Sequence, residues 1–238
     1  MVGAGVGIVA GALVQSATGF GFSLLSAPLA FAALHPKPAV GLLLLLGTEV
    51  NLMTLGTEGR PPEPLVRESA LILACAAPGA LAGVALLRSL SPLALQIAVT
   101  MGVLVTLAVR HLGRSRARVP AWVAGVAAGA LTTSTSTSGP PIVLHLLGRG
   151  APPRRVRDTL TVCFLGLAVI GGVALAATGT PALPDAAVVL SLIPCVAAGH
   201  LAGRRVFARL ADSGHFEAAL NVGLVLAIVA GLVGVIAD

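Results

Sequence analysis

The sequence predicts an all-α polytopic membrane protein made of two inverted repeats, each a broken-helix, re-entrant hairpin followed by three transmembrane helices. Three observations carry this expectation. First, apolar runs near the length of a membrane span recur along the chain, as at 65–87, 186–201 and 218–237. Only 10% of its 238 residues are charged, against about 25% in a soluble domain, and the mean hydropathy is +0.99. Second, the chain reads as a duplication. Third, the positions of its basic residues select one topology among those that hydropathy allows.

The duplication is visible in order along the chain. GALVQSATGFGFS (11–23) aligns with GALTTSTSTSGPP (129–141), and PKPAV (36–40) with PPRRV (152–156). PGALAG (78–83) aligns with AAGHLAG (197–203), sharing Gly-x-Leu-Ala-Gly. LQIAV (95–99) aligns with LNVGL (220–224), which sets Gln96 opposite Asn221. Matches kept in one order indicate repeats, with halves at 1–112 and 119–238 forming one membrane domain.

Eight hydrophobic segments follow, at about 3–34, 38–56, 66–88, 91–110, 121–148, 157–177, 185–203 and 217–236. As one helix, segment 3–34 would be roughly 48 Å long, at about 1.5 Å per residue, against a hydrocarbon core of about 30 Å. Its interruption, SATGFGF (16–22), divides it into two half-spans, and STSTSGPP (134–141) does the same to segment 121–148. If all eight segments cross fully, the repeats are parallel and the fifteen Lys and Arg divide nine against six. If each broken segment enters and leaves on one side, each half has three crossings and the halves are inverted. Thirteen arginines then share one face, and only Lys37 and Arg88 lie on the other. The positive-inside rule favours the second arrangement, with both termini outside. A long kinked first helix in each half is the alternative.

Broken backbone inside a bilayer survives only where protein or water surrounds it. Interrupted helices at matching places in inverted repeats point to a transporter's central site. The hairpins would enter from opposite faces and meet near the midplane. Each second half-helix starts just past the break, in the second half with Ser138 as N-cap and Pro140 suited to the first helical position. A helix N-terminus favours an anion. Gly19, Gly21 and Gly139 permit close backbone approach. Thr18, Ser23, Thr133, Ser134, Thr135, Ser136, Thr137 and Ser138 supply hydroxyls, and Phe20 and Phe22 complete the first tip. Neither tip holds an acidic residue, which disfavours a cation. The competing reading of each hydroxyl is that it satisfies backbone in a tight packing site.

Other polar residues lie within the spans. Glu49 would cost about 2.5–3.5 kcal/mol to insert charged and is functional by default. It is read as a carrier of a coupling proton or as the partner of an arginine near the basic face, with Asn51 nearby. His145 and His200 could titrate near neutral pH, although a lone histidine on an apolar helix is more often a packing residue. Gln96 and Asn221 are read as interhelical hydrogen-bonding amides that could also line a pathway.

ATGFGFSLLSAP (17–28), STSTSGPP and the two Gly-x-Leu-Ala-Gly segments resemble the TauE/SafE sulfite exporter family, also called the toluene-sulfonate uptake permeases, over essentially the whole chain. The resemblance implies a secondary transporter of the plasma (inner) membrane for sulfite or another sulfur-containing oxyanion. The usual Gly-Gly-Gly-like break is Gly-Phe-Gly-Phe here. The expected substrate is a small anion handled by alternating access, with a proton or the membrane potential as energy source. A passive anion channel with the same site is the alternative.

Other classes find little support. One Trp and no Tyr argue against nucleic acid as the target of the basic residues. Cys75, Cys163 and Cys195 lie in apolar runs without metal-ligand spacing and read as small core residues. No HExxH, GxSxG or Walker loop suggests an enzyme or a pump, and no cofactor is expected. Residues 1–17 lack the basic start of a signal peptide and are expected to remain. GRGAPPRRVRD (148–158) reads as a solvated cytoplasmic loop on anionic lipid. A homo-oligomer is left open.

Overall fold

The computed structural model describes residues 2–91, 93–95, 97–98, 101, 119–147, 149–180, 183–213 and 225. Among them are eight helices: α1 (Val2–Thr18), α2 (Phe22–Ala33), α3 (Pro36–Thr57), α4 (Val66–Ser89), α5 (Ala121–Thr135), α6 (Gly139–Leu147), α7 (Pro153–Ala177) and α8 (Ala186–Ser213). Four are long and apolar enough to cross a membrane: α3, α4, α7 and, over Ala186–Ala208, α8. Most of the segment expected at 91–110 and nearly all of that at 217–236 lie outside the described residues, as do Gln96 and Asn221.

Both long segments are broken where the sequence suggested. Gly19 and Gly21 have φ of 89° and 108°, a region that side chains with a Cβ avoid, and the chain reverses between them. Ser26 Oγ donates to Gly7 O at 3.0 Å, so α2 runs back along α1. In the second half, the left-handed residue is not a glycine. Ser136, at φ 60°, ends α5, its N–H directed to the carbonyls of Leu131 and Thr132. Gly139, the repeat counterpart of Gly21, is already inside α6. His145 Nδ1 lies 2.7 Å from Val119 O, which brings the end of α6 back beside the start of α5. The nine residues of α6 reach only about 14 Å at 1.5 Å per residue.

Small residues set the tightest helix pairs. A Cβ on Gly79 would sit 2.0 Å from Val126 O, and one on Gly83 2.1 Å from Ala130 O, both on α5. A Cβ on Gly199 would sit 2.4 Å from Val9 O, and one on Gly203 2.3 Å from Leu13 O, both on α1. Each Gly-x-Leu-Ala-Gly helix therefore packs, in the same direction, on the broken helix of the other half. Close backbone approach of this kind replaces the hydrophobic effect as the driving force for helix association in lipid.

Two apolar cores result. One gathers Ile8, Phe22, Leu42, Leu43, Leu46 and Val196, and the other Phe20, Ile72, Ile142, Leu146, Leu160 and Leu167. Phe20 and Phe22, one residue apart at the break, enter different cores and anchor the first tip between them. Trp122, Val169, Val173 and Leu190 stay largely exposed, as expected of residues that meet lipid.

The loop 58–65 is tied to the start of α7. Arg60 donates to both carboxylate oxygens of Asp158 at 2.8 and 3.1 Å. The Glu63 N–H reaches Asp158 Oδ2 at 2.8 Å, and the Leu65 N–H reaches Thr159 Oγ1 at 2.9 Å. Loops 58–65 and 149–152 thus share one end of the described structure, the end bearing Arg60, Arg149, Arg154 and Arg155. This contact also corrects the reading of 148–158 as wholly solvated. Arg154 and Arg155 are exposed, but Arg157 and Asp158 are buried in the first turns of α7, because each has an ion-pair partner on the α3–α4 connection.

Candidate functional site

The two breaks meet. Ser23 Oγ, one residue into α2, lies 3.2 Å from Ser136 Oγ at the end of α5, and a Cβ built on Gly139 would lie 3.2 Å from the Phe20 ring. Between the tips is a cavity of about 50 Å³. The first tip contributes Gly21, Phe22 and Ser23, and the second Ser136, Thr137, Ser138 and Gly139. Helix α3 adds Gly47, Thr48 and Asn51, α7 adds Phe164, Leu167 and Ala168, and Gln15 and Thr132 also reach it. None of its lining residues is charged.

Several expected site residues stand off this cavity, and their hydrogen bonds explain why. Thr18 Oγ1 donates toward Val14 O and Phe20 O. Ser134 Oγ donates to Ala130 O at 2.7 Å, Thr133 Oγ1 to Ala80 O at 2.7 Å, and Thr135 Oγ1 to Leu131 O at 3.1 Å. These hydroxyls satisfy carbonyls at helix ends and helix contacts. Thr18, Gly19, Phe20, Ser134, Thr135 and Pro140 are not among the residues that line the cavity.

One cavity-lining side chain missed in the sequence is Gln15. Its Oε1 accepts the Phe22 N–H at 3.1 Å, and its Nε2 donates to Asn51 Oδ1 at 3.0 Å. Asn51 in turn donates to Gly47 O at 2.7 Å. The pair joins α1 to α3 and occupies one free donor at the start of α2. Gln15 is the sole amide of α1, directly before the break, and that position was its available signal. The second tip is poorer in donors than its sequence suggested, since Pro140 and Pro141 have no N–H. Ser138 and Gly139 carry the backbone donors of that tip nearest the cavity.

The remaining polar residues separate into different roles. His200 is buried, with Nδ1 2.8 Å from Ser16 Oγ and Nε2 3.0 Å from Thr57 Oγ1. Thr57 already donates to Met53 O, so His200 Nε2 donates to Thr57 and Nδ1 accepts from Ser16. Neutral His200 is fully satisfied in this arrangement and joins α1, α3 and α8. His145 Nε2 lies 2.8 Å from Glu68 Oε2, and Arg149 joins the same carboxylate; this group ties α4 to the base of the second hairpin. Glu49 does not line the cavity. It forms no ion pair among the described residues, and its buried Oε2 has no hydrogen-bond partner there.

The model of the family described as Sulfite exporter TauE/SafE matches residues 3–235. The chain belongs to this family. No curated protein and no solved structure matches it. TauE/SafE proteins are membrane transporters rather than enzymes, which agrees with the membrane-length helices of this chain. In this TauE/SafE chain the two broken segments contribute to one uncharged cavity lined by hydroxyls, amides and apolar side chains.

Proposed function

We propose that this TauE/SafE protein is a secondary transporter of a small sulfur-containing oxyanion, sulfite or an organosulfonate of similar size, working by alternating access at the cavity between the two breaks in the cell (inner) membrane. Halves 1–112 and 119–238 act as inverted repeats. The reciprocal packing of α4 on α5 and α8 on α1 supports this reading, as does the shared end of loops 58–65 and 149–152.

The observation that carries the proposal is a cavity flanked by the starts of two helices and lined by Ser23, Ser136, Thr137, Ser138, Gln15 and Asn51, without a carboxylate. Each helix start carries roughly half a positive charge, so a monovalent anion is balanced without a full ionic bond and can leave again. A cavity of about 50 Å³ has room for a few water molecules, at about 10–15 Å³ each on this measure. That suits a group of four or five heavy atoms and excludes an aryl sulfonate unless the cavity opens. Glu49 is the proposed carrier of a coupling proton.

The test is transport by the purified protein in liposomes. Sulfite uptake that saturates and is accelerated by sulfite on the opposite side supports a carrier. Steady single-channel current without counterflow would support a passive channel instead. Absence of sulfite, thiosulfate or sulfoacetate movement, with no thermal stabilisation by any of them, would reject the oxyanion reading.

A further inference from the structure

Arg157 is the most deeply buried cation of the described chain, 1% exposed, and it lies on the other side of the first tip from the cavity. Its Nη2 donates to Ser16 O at 2.8 Å, while Gln15, the preceding residue, faces the cavity. A Cβ on Gly19 would lie 3.0 Å from the Arg157 stem. The guanidinium stacks on Phe207 at 3.9 Å, and Nη1 is paired with Glu58. Its buried Nε has no hydrogen-bond partner among the described residues.

A buried guanidinium with a free N–H is costly unless another acceptor uses it, and its planar fork fits a carboxylate or an oxyanion equally well. Glu58 is suited to letting go. It ends α3, is followed by Gly59 at φ 65°, and already has a second partner in Arg60 at 2.8 Å. Arg60 remains charged throughout, its pKa raised above the usual value by its hydrogen bond to Asp158. Among the described residues Glu58 is the only carboxylate within ion-pair distance of Arg157, the neighbouring Asp158 being engaged by Arg60. In the repeat alignment it stands opposite Gly41, so the other half lacks a matching cation.

We propose that Arg157 is a second anion-binding position on the cytoplasmic side of the first tip, held shut by Glu58, and that a small oxyanion leaving the cavity takes the place of the Glu58 carboxylate while Glu58 moves to Arg60. This inference rests on the oxyanion reading of the cavity, and it makes the closed end selective for anions.

The test replaces Cys75, Cys163 and Cys195, places a single cysteine at Ser23, and measures its labelling from the cytoplasmic face of inside-out vesicles. Two methanethiosulfonates are compared, one carrying a sulfonate and one a quaternary ammonium. Glu58→Gln is expected to raise labelling by the sulfonate reagent at least tenfold and by the ammonium reagent much less, and adding Arg157→Gln is expected to abolish that preference. Unchanged labelling in Glu58→Gln overturns the proposal, as does an anion preference that persists in the double variant. Should the double variant fail to fold, the Glu58→Gln comparison of the two reagents decides alone. Protection of the cysteine by methanesulfonate, a small oxyanion that does not react with the thiosulfonates, is scored separately. Faster anionic labelling without such protection would reject a small sulfonate as the occupant of the cavity and leave Arg157 as an anion position.

Discussion

Replacing Gln15 by glutamate changes the charge of the cavity wall with almost no change in shape. The new carboxylate still accepts the Phe22 N–H, now held at 3.1 Å, but it loses the donation to Asn51 and sets an oxygen against Asn51 Oδ1, at a cost of about 2 kcal/mol. Folding is expected to survive. A bound anion centred about 5 Å away would feel a repulsion of about 3 kcal/mol at an effective dielectric of about 20, which is roughly 150-fold in affinity. Gln15→Met is the complementary control. It leaves the Phe22 N–H and Asn51 Oδ1 unpaired, costs about 2 kcal/mol or more of stability, and adds no charge. The assay is sulfite binding by isothermal titration to detergent-purified protein, with the melting temperature of each variant recorded alongside. Wild-type affinity in a folded Gln15→Glu protein would refute the placement of the anion beside Gln15. Equal losses in the Glu and Met variants would show that shape, not charge, governs the site.

Ser136→Gly is expected to act with opposite signs on stability and binding. It relieves a left-handed residue at φ 60°, worth about 1 kcal/mol, and raises the melting temperature, while loss of the hydroxyl facing Ser23 weakens sulfite binding about fivefold. Gly129→Ala places a Cβ 2.1 Å from Ala76 O and must push α5 from α4; a loss of about 3 kcal/mol is expected in thermal unfolding, and unchanged melting would contradict the packing. Glu49→Gln is expected to retain sulfite binding but lose acceleration of transport by a proton gradient; retained acceleration would remove Glu49 from coupling.

How the site is built shows what a sequence can reveal about such a chain. The breaks at 19–21 and 136–138 were legible because glycine, serine and proline disrupt helical periodicity locally, and the membrane class because the apolar runs are long. The Gly-x-Leu-Ala-Gly segments were legible as a recurring motif, but their packing partners were not, because these depend on the three-dimensional path of both broken segments. Which hydroxyls line the cavity was equally hidden. Ser134 and Ser136 look alike in sequence, but one completes a helix by bonding Ala130 O and the other sits past the helix end, facing Ser23. Arg157 illustrates the same limit. Among neighbouring arginines it reads as one more solvated charge, and only the juxtaposition of the α1, α3, α7 and α8 ends buries it against Glu58, Ser16 O and Phe207. Local chemistry along the chain determined where helices break and which class of surroundings they occupy. Tertiary structure alone decided which polar atoms were left over after those breaks were satisfied, because a hydrogen bond or ion pair across elements requires two positions that the linear order does not relate.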